Sequence, residues 1–255
     1  MLRLITSLLC VVAALATRTA LSDEALVAVA ASFVPPMEAV AAAIEAETTH
    51  TVTLVSGSTG GLYAQIVNGA PFDVFVAADA ERPRLLDDGG QGLADTRTTV
   101  ALGRLVVLSS DAALINAHGL DALRDDSIRR IAIANPSIAP YGVAAQEVLE
   151  ALGLWQAVQP RLIRGESVAQ TYAMTATANA ELGFVALAQA LAHDGNMAYA
   201  HVPDNLHTPI RQDMIVLERA RENAAARIVH DFLRGARGRE IVERFGYGAP
   251  SEQSE

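Results

Sequence analysis

The sequence predicts an α/β protein built as two lobes, and three observations lead to that prediction. Short apolar segments alternate along the chain with longer stretches of helical pattern. Apolar residue types make up 51% of the 255 residues and charged types 19%, as in a globular chain with enough residues for a core. Two looser segments, 93–103 and 203–212, lie where a chain could cross between lobes.

The predicted strands are short runs rich in valine, leucine and isoleucine: 25–31, 52–55, 74–77, 105–108, 131–134, 182–186 and 214–217. Apolar positions at helical spacing predict helices over 37–47, 62–68, 82–87, 144–152, 168–177, 224–234 and 240–245. Buried strands that alternate with helices indicate mostly parallel sheets flanked by helices. We therefore predict a first lobe from residues 23–102 and 211–255, with the second lobe, 103–210, inserted in it.

The first 22 residues predict a secretory signal. Arg3 opens a short cationic region, residues 4–16 form an apolar stretch too short to span a bilayer, and small residues at 20–22 suit a cleavage site. The single cysteine, Cys10, lies inside this stretch. The mature chain is therefore expected to be exported without a thiol, which excludes disulfides, zinc thiolates and cysteine nucleophiles.

Composition and spacing exclude several kinds of chemistry. All 19 basic residues are arginine, so a Walker-type phosphate loop and Schiff-base catalysis are excluded. A net charge of -10 argues against nucleic acid as a partner. The six histidines lack the HxH and HExxH spacings, so we expect no metal site and no cofactor. Ser58 does not lie in a GxSxG motif, because position 56 is serine.

Four predicted turns between a strand and a helix contain groups suited to an anion: 30–36, 56–61, 135–142 and 167–170. In an open α/β sheet, ligands bind outside the carboxyl ends of strands, where helix N-termini point free N–H groups outward. Each turn alone is also typical of an ordinary helix cap. Together they predict a cleft of neutral donors, which favours a fully ionised oxyanion because a protonated oxygen would find no acceptor.

Motifs spread over nearly the whole mature chain resemble one known family. They lie at 57–66, 69–79, 135–142, 165–170, 180–186 and 244–247, after a strand that ends at Ser32. In this order they are similar to the molybdate-binding periplasmic proteins of molybdate ABC transporters. The resemblance implies a type II periplasmic binding protein, with two lobes and a ligand cleft between them. It would capture molybdate or tungstate in the periplasm and deliver it, as a monomer, to a membrane ABC permease with its ATPase.

The resemblance also implies which residues contact the oxyanion. Ser32 would supply a hydroxyl and an amide, and Ser58 or Thr59 a second hydroxyl with its amide; we prefer Ser58. Tyr141 and Val168 match positions that contribute backbone N–H groups. These residues would all contact oxyanion oxygens, and none would be a direct metal ligand.

One departure from the family is visible at Ala186, where some relatives present a tyrosine hydroxyl. The side chain of Tyr141, or a water, is expected to replace that donor; otherwise the site has one donor fewer.

Three alternatives remain open beside molybdate or tungstate binding. One is a binding protein for another oxyanion such as sulfate. Another is an exported hydrolase on the same fold, which would need an activated nucleophile that the sequence does not display. The last is an interaction module whose cleft has lost its ligand, supported only by Ala186.

Overall fold

Strands and helices alternate along the chain. A computed structural model describes residues 23–192 and 197–250. Its strands are β1 (Glu24–Ala30), β2 (Thr51–Gly57), β3 (Val74–Ala77), β4 (Thr98–Gly103), β5 (Leu105–Ser109), β6 (Ile131–Ala134), β7 (Leu162–Gly165), β8 (Leu182–Ala186), β9 (Ala198–His201) and β10 (Ile210–Val216). Its helices are α1 (Val34–Glu47), α2 (Thr59–Val67), α3 (Glu81–Asp88), α4 (Ala112–His118), α5 (Pro140–Ala151), α6 (Trp155–Val158), α7 (Val168–Ala176), α8 (Leu187–Leu191), α9 (Ala224–Arg234) and α10 (Ala236–Arg244).

Some predictions fall outside the described residues. They are the secretory signal with Cys10, the histidine at His193, and residues 251–255 of the predicted first lobe. No helix in the part of the chain that the structure describes is long and apolar enough to cross a membrane.

The strands form two five-stranded sheets with the same internal order. The first sheet runs β2-β1-β3-β10-β4 and the second β7-β6-β8-β5-β9. In the first, β2, β1 and β3 are parallel and β10 is antiparallel to both of its neighbours. In the second, β7, β6 and β8 are parallel and β5 is antiparallel to both of its neighbours. The prediction of an α/β fold with two lobes of mostly parallel sheets is confirmed.

The chain passes between the sheets twice. Strand β4 ends at Gly103 in the first sheet, and β5 begins two residues later in the second. The return passage lies between His201, at the end of β9, and Ile210, at the start of β10. In both sheets the reversed strand is the one that follows a passage. Below, each sheet with its helices is called the first or the second lobe.

The predicted loose segment 93–103 is partly wrong. Residues 98–103 form β4, which pairs with β10, and β10 itself begins at Ile210 within the second loose segment. Strands β7 and β9 were also not predicted. Like β4, both are edge strands that are only partly buried, so they lack the continuous apolar run by which a central strand is recognised.

Residues at the end of β1 explain why the first helix starts where it does. After Ala30 the chain makes one 3-10 turn over Ala31–Phe33, and α1 follows with proline in its first turn. Proline suits this position because its fixed φ is helical and its missing N–H would have had no intrahelical acceptor. Phe33 and Met37 are fully buried in the core of the first lobe, and this packing holds the turn between β1 and α1 in place.

Candidate functional site

A small cavity, with a volume of about 10 Å³, lies between the two lobes. Its lining comes from the four turns that the sequence singled out and from Ala78, which follows β3. The lining residues are Ala30, Ala31, Ser32, Gly57, Ser58, Thr59, Ala78, Ala139, Pro140, Tyr141 and Val168. The structure therefore brings all five predicted contact residues together around one space. Apolar residues of both lobes, among them Ala31, Ala78 and Val168, share a single buried cluster around it.

Ser32 lies in the short turn after β1. Its side chain is 1% exposed, and its Oγ has no hydrogen-bond partner among the described residues. Its backbone carbonyl accepts a hydrogen bond of 2.6 Å from the Tyr247 hydroxyl, and the Tyr247 ring packs edge-on against Phe33 at 5.0 Å. Contacts with Tyr247 thus fix the backbone of this turn, while the Ser32 hydroxyl remains available to a ligand.

The start of α2 supplies two more hydroxyl groups. Ser58 is the N-cap residue, yet its side chain makes no capping hydrogen bond. Thr59 is 1% exposed, and its Oγ1 accepts a hydrogen bond of 3.0 Å from the backbone N–H of Ala78. Because that bond uses an oxygen lone pair, the Thr59 proton is still free to be donated. Both hydroxyls therefore remain compatible with contact to an anion, with Thr59 already oriented by the protein.

The second lobe presents helix N-termini. Tyr141 is the second residue of α5 and Val168 the first residue of α7. Backbone N–H groups in a first helical turn have no intrahelical acceptor, and they carry the positive end of the helix dipole. The predicted cap at Ser167 is present: its side chain accepts a bond of 3.3 Å from Gln170 N–H, while the Gln170 side chain accepts one of 2.6 Å from Glu166 N–H.

The side chain of Tyr141 reaches the crossing strands of the first lobe. A Cβ built on Gly103 would lie 2.3 Å from the Tyr141 hydroxyl oxygen and 3.1 Å from Nε2 of Gln212. Both polar ends are buried without a hydrogen-bond partner among the described residues. Burial raises the pKa of Tyr141 above its ordinary 10.0, and the nearby Tyr247 and Ser32 oppose that shift. The phenol therefore stays protonated throughout the physiological pH range.

Ala186 does not line the cavity. It is fully buried at the end of β8, and its backbone N–H donates to Oε1 of Gln189 at 3.3 Å. The tyrosine hydroxyl that some relatives place here has no counterpart on this residue.

The electrostatics of the cavity come from dipoles. Its lining residues are all uncharged, so any attraction for an anion comes from hydroxyl groups and helix N-termini. Arg82 lies beside Gly60, outside the cavity lining, and its guanidinium is paired with Asp79. The residues that the structure describes contain no group of three histidine, cysteine, aspartate or glutamate side chains placed to hold a metal ion.

Sequence reasoning missed three residues next to the site. Tyr247 was noted only as the end of a motif, Gln212 lay in a segment read as a loose crossing, and Gly103 was not singled out. Their contacts join segments more than 35 residues apart along the chain, so nothing in the local pattern could have revealed them.

Comparison with known proteins agrees with this architecture. The chain is 43% identical over 228 residues to the molybdate-binding protein ModA of Azotobacter vinelandii, covering 88% of this chain and 90% of that protein. It is 40% identical over 228 residues to ModA of Rhodobacter capsulatus, covering 89% of each. The solved structure of the Azotobacter vinelandii periplasmic molybdate-binding protein superposes with a TM-score of 0.84 at 38% identity, over 89% of this chain and all of that one.

Two sheets joined by two crossings, with a donor-lined cavity between them, define a solute-binding protein. The pattern of the bacterial extracellular solute-binding proteins matches residues 25–248. The chain belongs to this family and, at 40–43% identity over most of its length, to the ModA group within it. The resemblance found in the sequence is thereby confirmed.

Proposed function

We propose that the protein captures molybdate or tungstate in the cavity between its lobes and delivers it to a membrane ABC permease with its ATPase. The observation that supports this most directly is the lining of one small, uncharged cavity by Ser32, Ser58, Thr59, Tyr141 and Val168. The relatives named above are molybdate-binding proteins.

The proposed chemistry is recognition of a doubly charged anion by neutral donors. Each hydrogen bond to a charged group contributes about 1.5–3 kcal/mol, so about six of them outweigh the cost of association and give a dissociation constant near or below ~1 μM. Selection against sulfate would come from size, because sulfate has the same charge and shape with shorter bonds.

We further propose that the protein works outside the cytoplasm, after cleavage of its signal, as a monomeric shuttle without a cofactor, enzymatic activity or nucleic-acid partner. The lobe boundaries proposed from the sequence, 23–102 with 211–255 and 103–210, define its two moving parts. Closure of these lobes on the anion would create the form that the permease recognises.

A thermal-unfolding series tests this function on the mature chain. Molybdate, tungstate, sulfate, phosphate and a panel of organic acids are added separately. At about 100 times its dissociation constant, a true ligand adds about 2.7 kcal/mol, which raises the Tm of a chain of this size by roughly 5 °C or more. We expect that shift with molybdate and tungstate.

Other results would favour the alternatives. A larger shift with sulfate than with molybdate would identify a different oxyanion as the ligand. The absence of a shift with any oxyanion would contradict the transport function, and turnover of an ester or phosphate substrate would support a hydrolase.

A further inference from the structure

One hydrogen bond joins the two lobes beside the cavity. The backbone N–H of Gly60, in the first turn of α2, donates to the backbone carbonyl of Ile138 at 2.8 Å. Neither residue lines the cavity. This contact therefore links the lobes directly, without using an anion as the bridge.

Both partners of this contact lie in hydrogen-bonded turns. The N–H groups of Ile138 and Ala139 donate to the Asn135 carbonyl at 3.1 and 2.9 Å, and Ser137 N–H donates to the Asn135 side chain at 3.1 Å. Gly60 lies in a regular helical turn, where Leu62 N–H donates to the Ser58 carbonyl at 2.9 Å. Moving either backbone at this contact would therefore strain the hydrogen bonds of its own turn.

A side chain at Gly60 would fit only tightly. A Cβ there would lie 3.0 Å from both Cα and the carbonyl oxygen of Ile138, and 3.2 Å from Nη2 of Arg82. Carbon atoms pack best at about 3.5–4.0 Å, so a methyl group would push the two backbones apart by a few tenths of an ångström. The glycine thus permits a closer approach of the two lobes than a residue with a side chain would allow.

The contact lies next to the proposed donors on both sides. Gly60 follows Ser58 and Thr59 directly, and Ile138 precedes Tyr141 by three residues in the turn that leads into α5. The separation of Gly60 and Ile138 consequently sets the separation between the hydroxyl donors of the first lobe and the α5 amides of the second.

We propose that Gly60 is a specificity-determining residue, which acts with Ile138 as the stop that fixes how far the lobes close and therefore which size of tetrahedral oxyanion fits. This inference rests on the proposed function. Gly60 is a positioning residue in it: it does not touch the anion and acts through the distance between groups that do.

The test compares wild type with Gly60→Ala by calorimetric titration with molybdate, and with sulfate in competition against molybdate. A longer, weaker interlobe hydrogen bond together with the wider cleft should weaken molybdate binding by about fivefold or more. Sulfate, the smaller anion, should lose a larger factor, so the ratio of the two affinities should rise. Without anion, the variant should be as stable as wild type or more so, because alanine is favoured over glycine in a helix.

Gly248→Ala is the matched control. A Cβ at Gly248 would meet its nearest neighbour, Cβ of Leu102, at an ordinary 3.5 Å, so molybdate affinity and the molybdate-to-sulfate ratio should both stay at the wild-type values. Unchanged molybdate binding in Gly60→Ala, or equal losses for the two anions, would overturn the role of Gly60 while leaving the proposed function intact.

Amide hydrogen exchange tests the same contact in the wild-type protein, so the test does not depend on whether a variant folds. Amide hydrogen exchange at Gly60 should slow when molybdate is added, because lobe closure forms the bond to Ile138. Equally fast exchange with and without bound molybdate would contradict the stop. If the wild type binds no oxyanion by titration, the proposed function fails first and this inference fails with it.

Discussion

The two lobes have the same sheet order but offer different donors to the cavity between them. The first lobe presents the hydroxyl groups of Ser32, Ser58 and Thr59. The second presents the residues that begin two helices, Tyr141 and Val168, through their backbone N–H groups. The first lobe is therefore expected to bind through side-chain hydroxyl groups as well as backbone amides, and the second lobe through backbone amides alone.

This difference decides how each half can be altered. A hydroxyl is removed by a serine-to-alanine change, whereas a backbone donor survives almost every substitution. Only a residue without an N–H removes it, and proline is tolerated in the first turn of a helix. Alanine scanning would therefore detect the side-chain donors of the first lobe and miss the backbone donors of the second.

The largest effect is expected where two side-chain donors are removed from the first lobe. Ser32→Ala should weaken molybdate binding by roughly 5- to 150-fold, and Ser32→Ala combined with Ser58→Ala by more than about 100-fold. Stability without anion should not fall, because the Ser32 Oγ is buried without a partner among the described residues. Calorimetric titration and thermal unfolding measure the two quantities.

The exposed Ser56 supplies the control for this change. It lies two residues before Ser58 and outside the cavity lining, so Ser56→Ala should bind like wild type. Wild-type affinity in the Ser32→Ala variant would show that the first lobe does not bind through this hydroxyl.

A smaller loss, roughly 10-fold or more, is expected when the second lobe loses one backbone donor. Val168→Pro removes the N–H at the first position of α7, and the preceding Ser167 is already extended at φ -147° and ψ 166°, as proline requires of its neighbour. Val168→Ala keeps the N–H and should bind within about threefold of wild type. Equal affinities for the proline and alanine variants would show that this amide is not a donor.

Sequence patterns revealed the turns but not the fit between them. Strands at 74–77, 131–134 and 182–186 were predicted to the residue, because they are central and fully buried. The hydroxyl and proline residues of the four turns are local signals, and all five predicted contact residues proved to share a cavity.

The same local signals could not show the structural role of Gly60. The turn 56–61 was predicted to face an anion, whereas its Gly60 approaches the backbone of the other lobe. The partner, Ile138, lies 78 residues away and carries no distinctive side chain chemistry in this contact. A contact between two backbone segments cannot be recognised from the side chains involved, except where a glycine stands in place of a residue with a side chain.

The smallest effect on binding is expected at the residue that joins the two halves. Tyr141 would bind the anion through its backbone N–H, while its phenol packs against Gly103 and Gln212 of the first lobe. Tyr141→Phe should therefore change molybdate affinity by less than about threefold. A loss of tenfold or more would show instead that the phenol replaces the hydroxyl missing at Ala186.

The same variant has a larger effect on stability at high pH. Burial raises the pKa of Tyr141 above 10.0, and burial followed by the neighbouring Tyr141 raises that of Tyr247. The unfolded chain therefore releases these protons at lower pH than the folded one, so stability is complete below about pH 10 and falls above it by up to about 1.4 kcal/mol per pH unit for each tyrosine. Tyr141→Phe removes one of the two, so its unfolding free energy should fall less between pH 8 and pH 11, as urea titrations would show. An identical fall in both proteins would mean that Tyr141 ionises as easily in the folded chain as in the unfolded one.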